Sequence, residues 1–160
     1  MAEQTTIGQF LNGRDTISTK DAKVYITMNG KVIPLIEANE LKLKWEKKKE
    51  DVQTLGSRIK HKKVVSVEGT GSLGGYLITS NWLKYALPYI TGGKDLYFGI
   101  TFAIEDPTSI AGRQVVTVSD VNLDDIPVAD FEADDGVMKW ESDLTFEGME
   151  LTQAFTGFDL

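Results

Sequence analysis

A chain of 160 residues, of which 41% are hydrophobic and 26% charged, is long enough to bury the core of a single domain without crosslinks. The absence of cysteine excludes disulfides, thiolate chemistry and cysteine-based zinc sites. No apolar run approaches the roughly 18–20 residues that cross a bilayer, and no apolar run follows a basic start. We therefore expect a soluble protein with no secretory signal and no membrane partner.

The net charge of −7 is unevenly distributed along the chain. Residues 40–63 carry nine basic and four acidic side chains, whereas residues 120–160 carry twelve acidic side chains and one basic one, Lys139. Opposite charges on separate segments favour head-to-tail self-association, because complementary potentials steer encounter and fix register. Two solvated faces that keep the protein in solution are the simpler explanation, and charge alone favours that explanation.

The first predicted elements are an extended N-terminal arm and a hairpin. The arm, residues 1–22, has scattered apolar residues without a regular period. Residues 24–28 are predicted as a strand, and Asn29-Gly30 follows, a dipeptide favoured in two-residue hairpin turns because both positions tolerate positive φ. The returning strand ends with Pro34, which cannot donate to a ladder and therefore indicates an edge strand.

Two longer strands with a polar segment between them come next. Residues 41–45 and 64–73 alternate apolar and polar side chains, which is the period of half-buried strands. The segment between them, residues 46–63, contains three aliphatic residues, Val52, Leu55 and Ile59, and is longer than most hairpin connections. We therefore expect a protruding loop that has no core of its own and that another molecule receives.

One helix is predicted over residues 80–91. Thr79, Ser80 and Asn81 are candidate N-caps, and Pro88 is expected to end or kink the helix. The residues at helical spacing form an apolar stripe that should face the core. Its members are Trp82, Leu83, Ala86, Leu87 and Ile90.

Four further strands are predicted at residues 96–104, 114–121, 126–133 and 137–149, and residues 151–160 form a C-terminal arm without a clear period. Seven or eight strands with one helix predict a mainly β fold. We expect an antiparallel β-sandwich or barrel over residues 23–150, with one flanking α-helix and a long protruding hairpin loop.

Residues with catalytic or ligand chemistry do not form a recognisable site. The single histidine, His61, lies between lysines and has no orienting partner in the sequence. Asp124-Asp125 and Asp134-Asp135-Gly136 resemble fragments of a cation loop, but the second lacks alternating ligands and is better explained as a turn. The Gly69-x-Gly71-x-x-Gly74 pattern lies in a strand, so it indicates close backbone approach rather than dinucleotide binding. We expect no catalytic residue, metal site or cofactor, and therefore no enzyme.

The basic segment is also a weak candidate for nucleic-acid recognition. Its lysines and arginine could contact phosphates, but no aromatic residue is available for base stacking between Trp45 and Tyr76. The acidic balance of the whole chain opposes the same interpretation.

An ordered set of segments resembles the tail tube protein of contractile-tailed phages and of phage-like tail particles of Gram-positive bacteria. The set spans residues 13–158, and neither Lys47-Lys48-Lys49 nor the length of the N-terminal arm is matched to the family. The matching segments are the Asn29-Gly30 hairpin, the strand from Glu37 to Trp45, Leu55-Gly56-Ser57-Arg58, Glu68-Gly69-Thr70-Gly71-Ser72-Leu73, Thr79-Ser80-Asn81-Trp82 and Val118-Ser119-Asp120-Val121-Asn122-Leu123.

The resemblance implies a structural subunit that forms hexameric rings, which stack into a hollow conduit inside a contractile sheath and deliver the genome. Its partners would be further copies of the chain, the sheath protein, and the tail-initiating baseplate and terminator proteins. DNA would pass through the lumen without specific binding. The subunit would lie in the virion tail after assembly in the bacterial host cytoplasm.

Two groups of site residues follow from this implied assembly. In the arm between rings, Leu55 and Ile59 would anchor on an adjacent subunit, and Arg58 and Lys60 would pair with carboxylates there. The same interface would include Lys47, Lys48 and Lys49. Candidates for a mildly negative lumen, which would let DNA slide, are Glu68, Thr70, Ser72 and Glu141.

The alternative is a monomeric β-sandwich module that binds a carbohydrate or protein ligand. Such a module is expected to expose clustered aromatic side chains. In this chain Trp45, Trp82 and Trp140 fall on predicted core-facing positions, which argues against the alternative.

Overall fold

The computed structural model describes residues 13–28, 30–78, 80–126, 128, 133 and 136–157. Short 3₁₀ turns at Gly13–Asp15 and Thr19–Asp21 precede the first strand. Within the described residues the elements are β1 (Ala22–Met28), β2 (Lys31–Pro34), β3 (Ala38–Val52), β4 (His61–Tyr76), α1 (Asn81–Gly92), β5 (Phe98–Glu105), β6 (Arg113–Leu123), β7 (Lys139–Phe146) and β8 (Gly148–Gln153).

The described strands form one antiparallel sheet that bends at β6. The strand order is β2-β1-β5-β6-β7-β4-β3, with β8 paired to β6. The first part of β6 pairs with β5 and β8, whereas its last two residues, Asn122 and Leu123, pair with β7. A register shift against β5 and the positive φ of Asp120 (54°) lie where β6 changes partners, as expected for a bulge at a sheet corner.

The bend brings the two halves of the sheet together over a common core. Ile26, Ile100 and Val118 from one half and Leu73 and Leu144 from the other are buried in the same apolar cluster. The end strands β2 and β3 are not paired with each other in the described structure. The mainly β prediction is therefore confirmed, and the architecture is the sandwich rather than the closed barrel.

Helix α1 packs on the core through its first two turns, with Trp82 and Tyr85. Trp82 is buried, and its ring lies 5.3 Å from that of Phe98 and 5.2 Å from that of Trp140 between centroids. The prediction that the whole stripe faces the core is wrong, because Leu87 and Ile90 in the last turns are exposed. The helix also continues beyond Pro88 to Gly92, and Ser80 caps it without a side-chain hydrogen bond.

The predicted loop 46–63 is largely strand. Pairing of β3 with β4 continues to Val52 opposite His61, so the connection is only residues 53–60. The apolar alternation that indicates a strand in the sequence stops at Trp45, because beyond it both faces of the two-stranded ribbon are solvated. The backbone ladder nevertheless continues, since it does not depend on side-chain polarity.

The single strand predicted for residues 137–149 is two strands. The chain leaves β7 at Phe146, and Gly148 begins β8 on the other half of the sheet. The N–H of Glu147 donates to the carbonyl of Ser119 at 3.3 Å, which fixes this change of partner. Because β8 runs to Gln153, the predicted C-terminal arm begins with strand residues.

Three other predictions lie wholly or partly outside the described residues. Residues 1–12 of the predicted N-terminal arm belong to this group, as does most of the strand predicted at 126–133. The Asp134-Asp135 part of the predicted turn also belongs to it. Of the predicted strand, Ile126, Val128 and Ala133 are described and are not in strand conformation.

Candidate assembly surfaces

The β3–β4 hairpin extends well beyond the sandwich. Where it leaves the body, the Trp45 ring lies edge-on against Phe146 with 4.7 Å between centroids. Trp45 lies on the core-facing side of β3, opposite Gly69 and Phe146, as predicted, but it is 40% exposed at the edge of the core, whereas Trp82 and Trp140 are buried. Seven further residues of β3, Glu46–Val52, add about 23 Å of ribbon at 3.3 Å per residue. Every residue from 45 to 68 is exposed.

The hairpin carries unpaired positive charge. Asp51 contacts Lys60 at 3.5 Å and Lys62 at 3.2 Å between charged atoms, and exposed pairs of this kind are weak. Within the described residues, the other basic members of the predicted arm form no ion pair. Those residues are Lys47, Lys48, Lys49 and Arg58.

The hairpin tip, residues 53–60, presents two apolar side chains. Leu55 is fully exposed and Ile59 is 68% exposed. Gly56 adopts a positive φ of 84°, and the Ser57 hydroxyl accepts a hydrogen bond from the N–H of Ile59 at 3.2 Å. The tip is therefore a defined turn that holds these aliphatic groups in solvent.

The four predicted lumen residues lie on one face of the β3-β4-β7 sheet. Thr70 pairs with Lys44 of β3 and Thr145 of β7, and successive residues of one parity along β4 share that face. Up to the register shift after Lys48, the lysines of this face are Lys42, Lys44, Lys48 and Lys139, and its carboxylates are Glu40, Glu46, Glu68, Glu141 and Asp143. The charge balance of the face is therefore negative, although it includes lysines that sequence reasoning did not assign to it.

Local pairs hold part of this face in place. Lys44 and Glu46 form an ion pair at 2.8 Å. The hydrogen bond and the attraction between them raise the pKa of Lys44 and lower the pKa of Glu46. The Ser72 hydroxyl donates to Glu40 at 3.1 Å. These contacts keep the face polar.

A cavity of about 320 Å³ lies between α1 and the ends of β5 and β6, and we refer to it as the α1 cavity. Asn122 of β6 organises its edge, because the side-chain amide donates to Asp95 and to the carbonyl of Leu96, both at 3.0 Å. The N–H of Asp124 donates to the carbonyl of Asp143 at 2.8 Å. The N–H of Asp125 donates to the Ser142 hydroxyl at 3.0 Å.

Apolar side chains line the floor of the α1 cavity and three carboxylates line its rim. The floor includes Trp82, Ala86, Leu96 and Leu123, and the rim consists of Asp95, Asp124 and Asp125. Sequence reasoning considered Asp124-Asp125 only as a cation-loop fragment. Asp95 joins Asp124 and Asp125 at this cavity only in the folded chain, so the sequence does not reveal that the three carboxylates are neighbours. The signal that could have suggested a site is the Asn122-Leu123-Asp124-Asp125 run at the end of a predicted strand.

Two further observations concern chemistry and membranes. No group of three or more histidine, aspartate or glutamate residues is arranged to hold a metal ion in the part of the chain that the structure describes. His61 is exposed at the start of β4. Across the same residues, no helix has the length and hydrophobicity required to span a bilayer.

A model of the phage tail tube protein family matches residues 9–153. The chain therefore belongs to this family, whose members are structural components of phage tails and not enzymes. The resemblance identified from the ordered sequence segments is confirmed.

Individual relatives agree with this assignment. The chain is 29% identical over 143 residues to the phage-like element PBSX protein XkdM of Bacillus subtilis (strain 168), covering 89% of this chain and 95% of the relative. YqbM of the same organism, an uncharacterised protein, matches with the same identity and coverage.

Solved structures share the fold. A chain from the sheath/tube terminator of an extracellular contractile injection system superposes with a TM-score of 0.65 at 12% identity, covering 86% of this chain and 97% of the other. A chain from the sheath–tube complex of such a system gives 0.61 at 11% identity and covers 96% and 98%. A Bacillus subtilis protein of known structure gives 0.51 at 23% identity, with 86% and 100% covered.

Proposed function

We propose that this tail tube subunit assembles into hexameric rings, which stack into a hollow conduit inside a contractile sheath. The observation that carries the proposal is the β3–β4 hairpin, which extends about 23 Å beyond the body and whose residues 45–68 are all exposed. A ribbon of this length gains little stability by itself, because isolated two-stranded hairpins are marginal in water. Contact with other copies would supply the missing burial.

The apolar residues of the hairpin support association along its length. Val65 and Val67 continue the core-facing side of β4 beyond Gly69, where the body ends, and both are exposed. Val52 and Val64 are also exposed. Charged side chains on an edge strand prevent non-specific pairing with other strands. In this hairpin Lys47, Lys48 and Lys49 lie on the edge strand β3.

The acid-biased face of the β3-β4-β7 sheet is the surface we assign to the lumen. Glu68, Thr70, Ser72 and Glu141 share this face, so one orientation of the subunit would expose all four to a central channel. Carboxylates repel phosphates, and a polar lining without a continuous basic stripe would let DNA pass without binding.

The partners and location follow from the same proposal. The tube would grow from a baseplate, end at a terminator and be enclosed by a sheath. Related folds occur in solved structures of a sheath–tube complex, a baseplate and a terminator, which supports this set of partners. Assembly in the bacterial host cytoplasm would place the finished tube in the virion tail.

Negative-stain electron microscopy of the purified protein, with light scattering on the same sample, tests the proposal. Rings or open-ended tubes of uniform width with six subunits per ring are the expected result. Assemblies of a different symmetry would contradict the hexamer. A protein that stays monomeric at high concentration, both alone and with baseplate components as initiators, would contradict tube formation.

A further inference from the structure

The hairpin tip and the α1 cavity have complementary chemistry. At the tip, the fully exposed Leu55 and the exposed Ile59 flank Arg58, which forms no ion pair within the described structure. In the cavity, an apolar floor is surrounded by carboxylates, and none of the residues lining it is basic. An aliphatic side chain accompanied by a cation fits an apolar cavity with an acidic rim.

A tip cannot reach the α1 cavity of its own subunit. The acidic rim is joined to the body through the hydrogen bond from Asp124 to Asp143, and Asp143 pairs with Ser72 in β4. From Ser72 the strand runs eleven residues to His61, about 36 Å at 3.3 Å per residue, and the tip lies beyond. The tip therefore points away from its own cavity, and only another molecule can bring the two surfaces together.

We propose that Leu55 of one subunit inserts into the α1 cavity of a second copy, where Arg58 pairs with Asp124 and Asp125. This inference rests on the proposed tube function and names the surface that receives the hairpin. The contact joins two different patches, so each bound pair leaves one free tip and one free cavity. Such a heterologous contact extends an assembly instead of closing a dimer.

The structure explains why this cavity suits a repeated contact. Asn122 holds the Asp95 side chain, and backbone hydrogen bonds hold Asp124 and Asp125, so the rim carboxylates project from a fixed frame. Pre-organisation of this kind lowers the entropy lost on association. The tip is likewise fixed by the turn at Ser57.

Cysteine pairs provide the test, because the natural chain contains no cysteine. The double variant Leu55→Cys/Ala86→Cys places one thiol at the tip and one in the floor of the cavity. Under a mild oxidant we expect a ladder of disulfide-linked oligomers on non-reducing gels. Leu55→Cys alone should yield dimers at most, and the pair Leu55→Cys/Val32→Cys, with its second thiol at an exposed position on β2, should give no ladder.

The outcomes separate this inference from the proposed function. Tubes in the microscope without a ladder from the Ala86 pair would overturn the cavity as receptor while leaving the tube intact. Ladders of equal strength from the Val32 pair would overturn the inference as well. If Ala86→Cys in the monomeric protein resists maleimide, the cavity is closed to a second copy, and that result also overturns the inference.

Exchanging the charges of Arg58 and Asp125 tests the proposed ion pair between the hairpin tip and the cavity rim. Arg58→Glu should raise the concentration needed for assembly about tenfold or more, since close charge pairs across interfaces couple strongly. Adding Asp125→Lys in the same chain should restore assembly, because every contact then contains the reversed pair. Lys23→Glu, which makes the same charge change on β1, is the control. Failure of Asp125→Lys to rescue, with both variants folded, would rule out the pairing.

Discussion

The carboxylate of Asp106 accepts a hydrogen bond from the backbone N–H of Ser18 at 3.0 Å, joining the chain before β1 to the loop after β5. The same carboxylate accepts the N–H of Thr108 at 2.9 Å. These backbone donors, with Ser18 the foremost, lower the pKa of Asp106 despite the opposing effect of burial. One ionised side chain thus stabilises a contact between distant segments.

This contact predicts a pH-dependent stability difference for Asp106→Asn. Because the pKa of Asp106 is lower in the folded protein than in the unfolded chain, where it is about 3.9, the ionised group stabilises the fold above that pH. The stabilisation is lost as the pH falls through the folded-state pKa. Thermal unfolding should show a lower Tm for Asp106→Asn than for wild type near neutral pH, and a difference that shrinks in acid. Glu105→Gln is the control, and a Tm difference independent of pH would contradict the role of ionisation.

Removal of the apolar tip should abolish assembly without unfolding the subunit. In Leu55→Ser/Ile59→Ser both changes are at exposed positions of the hairpin tip, so the Tm of the monomer should change little. Each buried aliphatic side chain contributes about 1.5–3 kcal/mol, and its loss at every contact should prevent tubes from forming. Sedimentation and electron microscopy measure whether tubes form. Val32→Ser, another exposed aliphatic on β2, is the matched control, and normal tubes from the double variant would refute the anchor role.

The lumen assignment predicts that charge reversal on the inner face affects DNA rather than assembly. Glu68→Lys on the β3-β4-β7 face should give tubes of normal width that retain DNA, because added cations bind phosphates and release counterions. Retention should weaken steeply as salt is raised. Glu150→Lys is the control, because it makes the same charge change on β8, outside the β3-β4-β7 face. Equal DNA retention by both variants, or by neither, would contradict the assignment of Glu68 to the lumen.

Close packing around the β4 glycines predicts a selective loss of stability in Gly71→Ala. A Cβ atom at Gly71 would overlap the backbone carbonyl of Lys42 in β3. Relief of that overlap requires the strands to move, and overpacking of this type costs about 1–3 kcal/mol. Denaturant unfolding measures the loss. Gly13→Ala introduces the same methyl group into open space, so it should leave the unfolding free energy nearly unchanged.

Features that depend on local pattern were predictable from the sequence. The Asn29-Gly30 dipeptide predicted a two-residue turn, and the pairing of Met28 with Lys31 confirms that register. The alternation of Phe98, Ile100 and the residues after them predicted β5, because one face of that strand is buried. The strand glycines were interpreted as marks of close backbone approach, and the contact at Gly71 agrees.

Features that depend on distant partners were not predictable. The polar ribbon beyond Trp45 lacks the apolar alternation of a strand, yet its ladder forms because β4 lies alongside. The break at Glu147 reflects a hydrogen bond to Ser119, which no local signal indicates. Likewise, Asp95 and Asp124 become neighbours only when the ends of β5 and β6 meet beside α1. The acidic cavity is therefore a property of the fold.

The junction of α1 with the sandwich predicts the largest stability effect. Trp82 contacts Phe98 of β5 and Trp140 of β7, so its ring connects the helix to both halves of the sheet. Trp82→Ala should destabilise the subunit by about 3–5 kcal/mol, because it removes a large buried ring and leaves a cavity. Leu87→Ala, in the exposed part of the same helix, should cost far less. Denaturant titrations monitored by circular dichroism compare the two variants, and equal losses of stability would show that the helix is held through its exposed turns instead.

Because the α1 cavity includes the Trp82 ring, Trp82→Ala should also weaken assembly at concentrations where the variant remains folded.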